Sequence, residues 1–80
     1  MTVKDIVVAR FQELCRERHM TSNELANLSG VTPSTVYSLF DPRRREVSIA
    51  TIKKLCDGLG ITLGAFFSTP DFDNMEQEIR

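Results

Sequence analysis

Eighty residues make one small domain, which buries only about 60–65% of the surface its unfolded chain exposes; 41% apolar and 26% charged residues are proportions of an ordinary globular protein, neither disordered nor membrane-embedded. No apolar run approaches the ~18–20 residues of a transmembrane helix, and the N-terminus lacks the regions of a signal peptide, so the expected address is the cytoplasm. Cys15 and Cys56 form no C-x-x-C pair and read as reduced thiols; with His19 they give three ligands where a structural zinc needs about four, so neither metal nor cofactor is expected.

The net charge of −1 and pI near 5.7 speak against a nucleic-acid partner if only the sum is considered. The distribution speaks for one. Up to Arg45 seven basic residues (Lys4, Arg10, Arg16, Arg18, Arg43, Arg44, Arg45) stand against five acidic ones; from Glu46 onward three basic residues stand against six acids. Three consecutive arginines repel one another, and nothing near them in sequence neutralises all three.

Taken in chain order, the elements are short helices. Val3, Val7, Phe11 and Leu14 fall on one face of a first helix capped by Thr2 and fading near His19. Thr21-Ser22-Asn23-Glu24 is a capping box that opens a second helix with Leu25, Ala26 and Leu28, and Gly30 turns the chain at its end. Thr32-Pro33 opens a third with a capping hydroxyl and a proline at the position where its missing N–H costs least. Val36 and Leu39 give that helix an apolar edge, and Asp41-Pro42 stops it. Ser48 caps a fourth helix with Ile49, Ile52, Leu55, Cys56 and Leu59 at core spacing, closed by Gly60. Thr62 caps a fifth holding Leu63, Phe66 and Phe67. Thr69-Pro70 repeats the cap-and-proline signature before Phe72, Met75 and Ile79, which share one face of a sixth, tail helix. About ten residues cannot stay helical alone in water, so such a tail must dock on its own domain or on a second copy. The pattern predicts an all-α chain, with a main domain over 1–68 and an acidic extension over 69–80. Strand alternation is almost absent.

Ser22–Ser29 and Pro33–Phe40, joined through Gly30-Val31-Thr32, form a helix-turn-helix whose second helix fits a DNA major groove. With Val36 and Leu39 inward, Pro33, Ser34, Tyr37 and Ser38 share the outward face. All four are uncharged.

The stretches "FQELCRERHMTSNELANLSGVTPSTVYSLF" and "VSIATIKKLCDGLGITLGAFF", in this order, resemble the phage-repressor and Cro-like helix-turn-helix regulators of bacteria, also called the XRE type, over roughly Val7 to Phe67. The resemblance implies a compact five-helix bundle of the repressor-like type that binds double-stranded operator DNA, usually as a homodimer, and regulates transcription, most often as a repressor. Carried over by position, it gives Pro33, Ser34 and Ser38 to base edges, with Tyr37 beside them. It gives Thr21, Ser22, Asn23, Thr32, Thr35, Arg43, Arg44 and Arg45 to phosphates, and Phe67, Phe72, Met75 and Ile79 to a dimer seam. A helix start offers unpaired amides and a positive dipole end to an anion in any case.

The chain departs from the family's pattern at Ser22, where members often carry glutamine, at Cys15, where they often carry arginine or lysine, and at Phe40-Asp41-Pro42, which replaces an acidic residue and glycine. Without arginine, asparagine or glutamine on the recognition face, direct base reading is expected to be modest and helped by DNA shape. The competing class is a protein-interaction module on the same bundle, which the neutral face and acidic pI favour and the arginine run opposes; salt dependence of binding separates the two. A small enzyme has no catalytic pairing to rest on, and neither a membrane nor a small-molecule ligand is indicated.

Overall fold

The structure is a computed structural model that describes residues 2–77. Six helices follow one another: α1 (Val3–Glu17), α2 (Ser22–Ser29), α3 (Pro33–Phe40), α4 (Ile49–Leu59), α5 (Leu63–Phe67) and α6 (Pro70–Asp73). The chain is all-helical, and the described residues hold no strand. None of the helices is long and apolar enough to cross a membrane.

Local sequence sets most of the helix ends. Thr2 and Asp5 form a reciprocal capping box at α1, as do Thr21 and Glu24 at α2. Ser48 Oγ accepts from the Ala50 and Thr51 amides, and Thr62 Oγ1 from the Ala65 amide. Gly30 and Gly60 end α2 and α4 in the left-handed region, at φ +69° and +72°. The next residue in each case donates back to the helix, Val31 N to Ala26 O and Ile61 N to Cys56 O. α1 ends by the same device without a glycine: His19 takes φ +54° while Met20 N donates to Cys15 O at 2.9 Å.

One core runs through the bundle. Val7, Phe11, Leu25, Val36, Leu55, Cys56 and Phe66 are fully buried, and burying each larger apolar side chain contributes about 1.5–3 kcal/mol. The Phe11 and Phe66 rings lie 4.4 Å apart between centroids, and Phe67 meets Phe66 edge-on at 5.0 Å. Burial raises the Cys15 and Cys56 thiols above their ordinary pKa, so both serve as small apolar residues.

The structure corrects four expectations. Val3 is 40% exposed, and its place on the buried stripe is taken by Lys4, 4% exposed. Ile49 is 60% exposed although it has core spacing: it occupies the first turn of α4, and the buried residues of that helix begin at Ile52. The Thr32 and Thr69 side chains make no cap bond. At Thr32 the hydroxyl is engaged with its neighbours Ser34 and Thr35 instead. The tail helix stops at Asp73 after four residues. Phe72 is its apolar anchor on the domain, and a short helix without further buried residues gains nothing by continuing.

Candidate nucleic-acid interface

α2 and α3 pack against each other through the tight turn at Gly30, and α2 packs along α4. Inward-facing Val36 and Leu39 fix the rotation of α3. Pro33, Ser34 and Tyr37 are therefore exposed, Tyr37 by 62%, while Ser38 is half-buried at the edge of the same face. At the start of α3, Thr32 Oγ1 lies 2.9 Å from Ser34 Oγ and 3.0 Å from Thr35 Oγ1. Each hydroxyl both donates and accepts, so this cluster suits either a phosphate oxygen or a base edge.

Ser38 and Thr35 also line a groove between α3 and the beginning of α4, together with Ser48 and Thr51 and flanked by Arg44 and Glu46. Residues assigned separately to bases and phosphates thus meet in one hydroxyl-rich channel beside an arginine. At α2, Thr21 and Asn23 are exposed and Ser22 is half-buried. Three of the amides at that start are already bonded, Thr21 N to Glu24 Oε1 at 3.0 Å, Glu24 N to Thr21 Oγ1 at 3.1 Å and Leu25 N to Thr21 O at 3.0 Å.

The arginines are not equivalent. Arg43 donates through Nε and Nη2 to the two carboxylate oxygens of Asp41, at 3.1 and 3.0 Å, and its amide donates to Oδ1 at 2.9 Å. Those hydrogen bonds hold the Asp41 carboxyl at about 2, well below its ordinary value, and raise Arg43. Arg44 and Arg45 are exposed. Asp5 is also held below its ordinary value, first by the backbone and side-chain hydrogen bonds of Thr2, with Arg45 adding a smaller effect.

Sequence reasoning missed where the cations of α1 go. Lys4 Nζ donates to the carbonyls of Asp41 and Arg44, Arg18 to the carbonyl of Leu59, and Arg10 to those of Phe66 and Ala65 at 3.0 and 3.3 Å. Each thus satisfies carbonyls at or just beyond the end of a different helix: α3, α4 and α5. The basic surplus of the first forty-five residues is therefore partly internal, and Arg43–Arg45 carry more of the outward charge than the count implied. The signal was partial: Lys4 stands seven residues before Phe11 on the buried stripe of α1, but the carbonyls it serves lie about forty residues away.

Phe67 and Phe72 are half-buried and meet each other edge-on at 4.9 Å, within their own domain. Met75 lines a separate groove with Ile6 and Ala9. Ile79 lies outside the described residues. No group of three or more His, Cys, Asp or Glu able to hold a metal occurs among the described residues.

A second short helix presented by a glycine turn, with hydroxyls along its open face and an arginine turn behind it, defines a helix-turn-helix nucleic-acid-binding protein. The comparisons give the family. The Cro/C1-type helix-turn-helix DNA-binding domain matches residues 10–71, and the chain belongs to that family as a DNA-binding regulator. The crystal structure of prophage Lp1 protein 11 is similar, with a TM-score of 0.82 and 34% sequence identity over 92% of this chain and 97% of that one. No curated protein matches the chain.

Proposed function

We propose that the protein is a sequence-specific transcriptional repressor that binds a two-fold operator as a homodimer. α3 lies in the major groove, with Pro33, Ser34, Tyr37 and Ser38 toward base edges. Thr21, Ser22, Asn23, Thr32, Thr35 and the arginine turn meet phosphates. The observation that carries this reading is the exposed, uncharged face of α3 next to Arg44 and Arg45, which the domain leaves open to an anion. Phosphate neutralisation supplies most non-specific affinity, and the α3 face supplies the discrimination.

The extension over 69–80, with Phe67, Phe72, Met75 and Ile79, forms the seam between copies. A two-fold pair then sets recognition helices about 34 Å apart, on half-sites one helical turn apart. Similarity to a prophage protein supports a phage origin.

Selection from a random duplex library, then binding of the winners across a salt series, tests the reading. A palindromic winner, with a steep salt slope that flattens in Arg43→Ala/Arg44→Ala/Arg45→Ala, is the expected result. No enrichment at low salt, with mutant and wild type alike, rejects the reading in favour of a protein partner.

A further inference from the structure

The turn that carries the arginines is held from behind by a residue that is itself shielded from any ligand. Lys4 is 4% exposed, yet its ammonium donates to Asp41 O at 2.6 Å and to Arg44 O, across 37 and 40 positions of chain. These two carbonyls bracket Pro42 and Arg43. The Arg44 amide closes the same turn by donating to Asp41 O at 3.1 Å. The Thr2–Asp5 capping box fixes the start of α1 and so the root of the Lys4 side chain.

Stability is a poor explanation for this arrangement. Burying a cation forfeits several kcal/mol of hydration, and apolar residues of similar volume often do as well or better in such places. What an ammonium provides is direction: it is satisfied only when carbonyls face it, so it selects one backbone path for the turn. We propose that Lys4 is a positioning residue for the phosphate-binding turn, pinning Asp41 O and Arg44 O so that Arg44 and Arg45 present their guanidinium groups to the DNA backbone in a fixed place. The inference rests on the DNA-binding reading above and adds to it a residue that never touches DNA.

The test compares wild type, Lys4→Met, Arg44→Ala/Arg45→Ala and the triple combination, binding the selected duplex between about 50 and 200 mM salt. Hydrogen exchange at the Arg44 amide is read in parallel without DNA. Lys4→Met is expected to keep the wild-type helix content, to speed Arg44 exchange at least about tenfold, and to lower the salt slope by about 2, as the double variant does. In the double-variant background it is expected to have no further effect on affinity or slope. Lys4→Gln, neutral and polar, is expected to behave as Lys4→Met and serves in its place should that variant fail to fold. An equal additional loss in the double background overturns the proposal, because Lys4 then acts as a remote charge or through global stability. Unchanged Arg44 exchange overturns it as well. A wild type that binds no duplex at low salt rejects the DNA reading and this role with it, while the exchange result reports separately whether the pin exists.

Discussion

Gly58 of α4 lies against Ser29 of α2 so closely that a methyl group on Gly58 would stand 2.9 Å from the Ser29 Cα and 3.0 Å from its Cβ. The contact is where α2 and α4 approach each other, and the nearest atoms include backbone, which cannot swing aside. Gly58→Ala gains about 1 kcal/mol of helix propensity. Forcing the helices apart costs about 1–3 kcal/mol. The expected outcome is net destabilisation, measured as a lower urea midpoint. Ser29 Oγ is buried and has no hydrogen-bond partner among the described residues, so Ser29→Ala is expected to be neutral or to stabilise by up to about 1 kcal/mol. It relieves only part of the Gly58→Ala clash, since the Ser29 backbone stays in place.

Asp41 occupies Arg43 with both carboxylate oxygens. A phosphate must therefore compete with an internal anion for that arginine. Asp41→Asn weakens the internal competitor and removes a negative charge from the DNA-facing turn. The expected result is tighter duplex binding and a salt slope steeper by about 1. The same pair has a pH signature. The folded-state carboxyl titrates at about 2, below its ordinary 3.8, so its contribution to stability is present above pH 3.8 and is lost as pH falls toward 2. Acid unfolding over that window is expected to be less steep in Asp41→Asn than in wild type, as followed by circular dichroism.

His19 does at the end of α1 what Gly30 and Gly60 do at the ends of α2 and α4, with a side chain that disfavours the required φ of +54°. His19→Gly removes that strain, while the freer unfolded chain offsets part of the gain. The expected net stabilisation is about 0.5–1 kcal/mol, a rise in melting temperature of roughly 2–8 °C for a domain of this size. A lower melting temperature would show that the imidazole makes contacts worth more than its backbone strain.

These positions also mark where the sequence could be read. Caps and glycine ends are local: Thr21 needs only Glu24, and Ser48 only the amides that follow it. The helices were therefore legible in order, and α1 to α5 nearly to the residue, whereas the tail helix ends at Asp73, short of Met75. The open face of α3 followed from Val36 and Leu39 by helical arithmetic alone. Lys4 was not legible as a buried group, because the carbonyls that justify burying an ammonium lie about forty residues away. Gly58 read as an ordinary helix residue, since its necessity comes from Ser29 on another helix. Asp41 is the exception: it stands two residues from Arg43, and the pairing was open to local reasoning that treated the arginines as one block.

Tyr37 is where base reading is most exposed to test. Its side chain is 62% exposed, so truncation removes little buried surface, and Tyr37→Ala is expected to change stability by no more than about 0.5 kcal/mol. On the proposed orientation of α3, the ring covers a base step and contacts the methyl group of a thymine, an apolar contact that the hydroxyls of Ser34 and Ser38 cannot supply. Losing it is expected to cost about 1–3 kcal/mol of discrimination at a single operator position, while binding to unrelated duplex and the salt slope stay as in wild type. Competition between the selected duplex and single-position variants measures this directly. A uniform loss across all sequences would move Tyr37 from the bases to the DNA backbone, and unchanged discrimination would remove it from the interface.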